Sequence, residues 1–124
     1  MSGPVVLIVD DNEKNMRLAR EVLRLGGFET VEAATGGESI ALAAEHLPDV
    51  ILMDIRLPDM DGTAAAVRIK GDPRTAHIPI VALTSLAMKG DREILLGAGF
   101  DGYLEKPIMV PEFPDQVRGF LVGC

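Results

Sequence analysis

Val50-Ile51-Leu52-Met53-Asp54 is a run of four apolar side chains closed by a carboxylate. Nothing in it alternates polar with apolar. Both faces of the segment therefore need cover, which is the pattern of a strand inside a parallel sheet. The pattern recurs on either side. Val5-Val6-Leu7-Ile8-Val9 runs into Asp10-Asp11, and Ile80-Val81-Ala82-Leu83 runs into Thr84. Glu29 to Ala33 reads as a weaker strand, and Tyr103-Leu104 as part of a short fifth.

Helical patterns fill the intervals. Asn12 is placed to cap a helix whose apolar positions are Met16, Leu18, Ala19, Val22, Leu23 and Leu25, with Gly26-Gly27 as its stop. Thr35 is placed to cap a second, with Ile40, Ala41, Ala43, Ala44 and Leu47 as its buried stripe and Pro48 as its end. The stretch Thr35-Gly36-Gly37-Glu38 lacks the spacing and the lysine of a phosphate-cradling loop, so it reads as a helix start. A third helix is expected over about 63–70, a fourth over about 89–96, and a last one from Pro111 to about Val122. The order is βα five times in 124 residues, with no repeat and no linker. That predicts one α/β domain spanning 1–124, a doubly wound five-stranded parallel sheet with helices on both faces.

The totals exclude several function classes. A net charge of −7 argues against a nucleic-acid-binding face, since phosphate backbones attract clusters of Lys and Arg. No apolar run approaches the roughly 20 residues of a membrane span. The lone cysteine, Cys124, cannot form an internal disulfide, and the N-terminal stretch has no basic n-region. The expected location is cytoplasmic.

In doubly wound sheets ligands sit beyond the carboxyl ends of the strands. Asp10, Asp11, Asp54, Thr84 and Lys106 all fall at that rim. Taken singly, Asp11 is a helix-start residue, Thr84 a β-branched strand end and Lys106 a solvated lysine. Together they place three carboxylates, a hydroxyl and an ammonium in one place. Crowded carboxylates repel, and a hard divalent cation relieves the repulsion. No Cys/His set has zinc spacing, so oxygen ligands and Mg²⁺ are expected. Asp10 and Asp11 would hold the metal, Lys106 and Thr84 would contact a phosphoryl anion, and Asp54 would be the nucleophile forming an aspartyl phosphate. His46 and His77 lie away from this rim and read as surface residues.

The assembled text resembles the receiver domain of two-component response regulators. The matching segments are Val9-Asp10-Asp11-Asn12, Leu52 to Gly62, Ile78 to Thr84 and Gly102 to Pro107. The resemblance implies a flavodoxin-like (βα)5 fold with strand order 2-1-3-4-5. It implies that Asp54 accepts a phosphoryl group from a histidine kinase or a histidine phosphotransfer protein. Asp10, Asp11, Asp54 and the backbone carbonyl of Arg56 would bind Mg²⁺, with Mn²⁺ able to substitute. Lys106 and Thr84 would bind the phosphoryl group, and Thr84 and Tyr103 would act as the switch pair. Output would pass to a protein target through the face of the fourth helix, fifth strand and fifth helix, in a monomer or weak dimer with no output domain. Ala87 to Arg92 resembles single-domain receivers of the DivK type and receivers at the end of hybrid kinases. Met109 departs from the Asp or Asn that many relatives place before the last helix, which weakens the expected cap. Two other readings stand beside this one. A Mg²⁺-dependent small-molecule phosphatase would also use an aspartyl phosphate, but such enzymes carry the nucleophile on the first strand. A non-phosphorylated interaction module would not need the full set of five polar residues.

Overall fold

A computed structural model describes residues 3–84, 96–105 and 112–121, excluding the side chains of Thr84 and Glu105. Five strands alternate with helices: β1 (Val5–Val9), α1 (Glu13–Leu25), β2 (Glu29–Ala33), α2 (Gly36–His46), β3 (Val50–Asp54), α3 (Gly62–Gly71), β4 (Ile80–Thr84) and β5 (Gly102–Glu105). A C-terminal helix, Phe113–Arg118, follows. The predicted fourth helix falls for the most part outside the described residues, as do Lys106 and Met109.

The strands form one sheet in the order β2-β1-β3-β4-β5, and every pairing is parallel. The doubly wound arrangement is the one expected. Alternate residues of each strand serve opposite faces. Leu7, Val9, Ile51, Met53, Ile80 and Ala82 pack with Ala43 of α2 and with Ala65, Ala66 and Ile69 of α3. Val6, Ile8, Val50, Leu52, Val81 and Leu83 pack with Met16, Ala19, Val22 and Leu23 of α1 and with Phe113 and Val117. Two cores, one on each face, explain why the strands show no alternation. Each fully buried Leu or Ile stabilises the fold by about 1.5–3 kcal/mol relative to an exposed one.

The helix faces correct the sequence reading in part. Met16, Ala19, Val22 and Leu23 are buried, but Leu18 is 40% exposed and Leu25 is 89% exposed. Both sit about a third of a turn from the centre of the Met16–Leu23 stripe, so they turn toward solvent. In α2, Ala41 and Leu47 are exposed, while Ser39 is buried. The Ser39 hydroxyl donates to the Gly36 carbonyl at 2.6 Å, which lets a polar side chain occupy a core position. The helix α2 ends ahead of Pro48, with Leu47 as its cap in a left-handed conformation at φ 46° and its amide on Ala43 O at 3.0 Å. The following proline disfavours the helical region for Leu47.

Strand order reverses between β1 and β3, because β1 lies between β2 and β3 while the chain continues outward to β4 and β5. Val9 is in register with Met53, so the residues that follow, Asp10 and Asp54, leave the sheet side by side. The crevice at this reversal is where such a fold receives ligands.

Candidate metal centre

Asp10 directly follows β1 and is buried, 3% exposed. Its amide donates to Ala33 O at 3.1 Å, holding it to β2, and its Oδ1 accepts the Asn12 amide at 2.9 Å. Asn12 then caps α1, its side chain accepting the amides of Lys14 at 3.0 Å and Asn15 at 3.1 Å. The chain of contacts from strand through Asp10 and Asn12 into helix fixes the turn that carries Asp11, which is exposed. Asp54, half-buried, ends β3, and its Oδ1 accepts the Arg56 amide at 3.4 Å.

Carboxylate oxygens of Asp10, Asp11 and Asp54 all lie within 4.8 Å of one another. Two unit charges at that separation repel by about 1 kcal/mol at the dielectric of water and about 3 kcal/mol at an effective dielectric near 20. The donors are all hard oxygens, which suits a hard divalent cation and disfavours soft metals. Ligands on opposite sides of a Mg²⁺ stand about 4.2 Å apart, so carboxylates within 4.8 Å of one another need to draw in only slightly to share one ion. The structure thus brings together the three carboxylates named from the sequence. The Thr84 side chain and Lys106 lie outside the described residues. Thr84 ends β4, which pairs with β3 through Asp54↔Leu83, so its backbone stands at the same rim. Tyr103 lies on β5 opposite Ala82 and packs, half-buried, against the core cluster under α2 and α3.

The connection from β3 to α3 is closed at its base. The Gly62 amide donates to Ile55 O at 2.6 Å, and Arg56 pairs with Asp61 in an isolated antiparallel bridge. Gly62 is required here for space: a Cβ there would stand 2.3 Å from the Asp54 carbonyl oxygen. Sequence reading also gave Asp59 no role. Asp59 Oδ1 accepts the Gly36 amide at 2.8 Å and Oδ2 the Gly37 amide at 2.9 Å, at the start of α2. These amides, Gly37 foremost, hold the Asp59 carboxyl below its ordinary value. The partners are more than twenty residues away in sequence, so no local signal could have found the contact. His46 ends α2 and His77 lies in the α3–β4 connection, both exposed and away from the cluster. No helix among the described residues is long and apolar enough to cross a membrane.

Residues 6–118 match the family described as the response regulator receiver domain. The polar-differentiation response regulator DivK of Brucella ovis is 44% identical over 116 residues, covering 94% of each chain. Among solved structures, the receiver domain of a sensor histidine kinase from Pseudomonas aeruginosa superposes with a TM-score of 0.88 at 35% identity, over 96% of this chain and 98% of that one. That structure has a magnesium ion coordinated in its active site cleft. The chemotaxis response regulator CheY4 of Vibrio cholerae gives a TM-score of 0.91 at 26% identity, over 97% and 100% of the two chains. A parallel sheet in the order 2-1-3-4-5, an acidic cluster at its switch point and a family match over nearly the whole length agree, and the chain belongs to the response regulator receiver domains of two-component signalling.

Proposed function

We propose that this chain is a single receiver unit in which Asp54 accepts a phosphoryl group from a phosphohistidine. The observation that carries this reading is the convergence of Asp10, Asp11 and Asp54 within 4.8 Å at the reversal of strand order. Asp54 is the half-buried member, open enough to meet a donor, while Asp10 is sunk into the sheet edge. A carboxylate oxygen of Asp54 forms the new O–P bond, the P–N bond of the phosphohistidine breaks, and the imidazole leaves with its electron pair and takes a proton. The Asp10, Asp11 and Asp54 carboxylates and the Arg56 backbone carbonyl would hold Mg²⁺, or Mn²⁺ in its place. When bound, the ion neutralises charge on the phosphoryl oxygens. The Lys106 ammonium and the Thr84 hydroxyl would contact the same oxygens.

The phosphoryl group adds about −1.5 to −2 charges and three acceptors to one side chain. Thr84 turning toward those acceptors would free space beside β4 for the Tyr103 ring, repacking the surface around β5 and the C-terminal helix. That surface is the one offered to a downstream protein target. The donor is a histidine kinase or a histidine phosphotransfer protein, the setting is the cytoplasm, and the working form is a monomer or weak dimer. The chain catalyses its own phosphorylation and dephosphorylation and turns over no other substrate.

Intact mass after incubation with Mg²⁺ and acetyl phosphate tests the reading. One added phosphoryl group is expected on the native chain, absent with EDTA and absent from Asp54→Asn. A folded, Mg²⁺-binding chain that gains no mass would leave a non-phosphorylated interaction module in its place.

A further inference from the structure

The loop between β3 and α3 is secured at two places, and only one belongs to the loop itself. At the base, the Gly62 amide on Ile55 O and the Arg56–Asp61 bridge close the chain on itself. At the tip, Asp59 reaches across to α2 and takes the Gly36 and Gly37 amides, one on each carboxylate oxygen. Those amides belong to the first turn of an eleven-residue helix and have no partner within it. A carboxylate there is held both by charge-assisted hydrogen bonds and by the positive end of the helix dipole. Met60 packs beside this contact so closely that a Cβ on Gly36 would stand 2.4 Å from its Cγ. Arg56 is part of the base fastening, and its amide meets Asp54 Oδ1 at 3.4 Å.

We propose that Asp59 is a positioning residue for the metal centre: by pinning the loop tip to α2, it fixes the Arg56 carbonyl where a divalent cation would take it. The proposal rests on the metal-dependent reading above. It makes α2 part of the support of a site to which α2 contributes no ligand.

The test is the Mg²⁺ dissociation constant, measured by isothermal titration calorimetry on the full chain. Asp59→Ala, Asp59→Asn and Thr35→Ala are compared with the native protein. Thr35→Ala is the control, because Thr35 Oγ1 accepts the Glu38 amide at 3.1 Å and so caps the same helix without touching the loop. Asp59→Ala is expected to weaken Mg²⁺ binding about tenfold, the low end of what outer-shell partners of a metal contribute. Asp59→Asn keeps an acceptor for one amide and should fall between. Thr35→Ala should match the native constant despite a lower melting temperature. Equal constants for Asp59→Ala and Thr35→Ala would overturn the proposal. Should Asp59→Ala fail to fold, an Asp59→Asn constant within about twofold of native does the same. A native chain that binds no Mg²⁺, like Asp54→Asn, would overturn the metal-dependent reading itself and take the proposal with it.

Discussion

The two rims of the sheet handle carboxylates in opposite ways. At the amino-terminal rim, Asp101 stands just before β5 and meets the Lys70 ammonium at 3.0 Å and the Ile80 amide at 2.8 Å. The same ammonium donates to Ile78 O at 2.8 Å, so one lysine gathers the end of α3, the start of β4 and the start of β5. At the carboxyl-terminal rim, Asp10, Asp11 and Asp54 are drawn within 4.8 Å of one another. One rim disperses negative charge into cations and amides. The other concentrates it. A rim built for stability alone would not crowd three like charges, so the contrast marks where the fold gives up stability for chemistry.

The largest expected effect comes from crowding the acidic rim further. Gly62→Ala sets a Cβ 2.3 Å from the Asp54 carbonyl oxygen and 3.0 Å from Ile55 Cα, backbone atoms that cannot swing aside. A loss of about 2–3 kcal/mol is expected by urea denaturation, as for overpacked sites elsewhere, together with weaker Mg²⁺ binding. Unchanged stability would mean that the loop yields, and that the rim is less tightly built than it stands here.

A smaller effect tests the contrast by sign. The same change, Asp to Asn, should stabilise at one rim and destabilise at the other. Without Mg²⁺, Asp11→Asn relieves repulsion at an exposed position and should raise stability by about 0.5 kcal/mol. Asp101→Asn removes the ion pair with Lys70 and should lower it by about 1 kcal/mol, a figure discounted because Asp101 is 44% exposed. Two changes of the same sign in thermal melts would dissolve the comparison.

The smallest effect is a matter of pH. Asp59 is lowered by the Gly37 and Gly36 amides, and Asp72, beyond the end of α3, by its hydrogen bonds with Arg74. A carboxyl lowered in the folded state contributes stability that is fully present above its ordinary value, near 3.8. That stability is lost as pH falls through the lower folded value. Asp59→Asn and Asp72→Asn should each flatten the acid limb of the melting curve and leave the neutral region nearly level. Added salt should erase the Asp72 effect first, since its Arg74 partner is an exposed charged side chain and the Asp59 partners are backbone amides. Equal salt sensitivity would show that the helix-start contact is no firmer than a surface ion pair.

Much of this was legible in the sequence, because parallel strands covered on both faces leave unbroken apolar runs and end at one rim. Asp10, Asp11 and Asp54 could be grouped from where the apolar runs of the first and third strands end. What was not legible depended on direction or distance. Leu18 and Leu25 were counted as apolar without asking which way the helix turns them, and both face solvent. Ser39 hides its hydroxyl on the preceding turn, which composition cannot show. Asp59 with Gly36, and Lys70 with Asp101, join residues more than twenty positions apart, and only the folded chain brings them together. The predicted roles of Lys106 and of the Thr84 side chain lie outside the described residues.

The place of β2 at the end of the strand order has a consequence for solubility. An outermost strand offers a row of backbone groups on which another chain could add itself, the first step of aggregation. Here Glu29 and Glu32 are exposed along it, and α1 reaches across with Arg20 on Glu32 at 2.7 Å and Arg24 on Thr30 at 3.0 Å. A second copy approaching edge-on would meet glutamates with its own glutamates and would have to displace two arginines. The sheet is thereby kept finite at this margin.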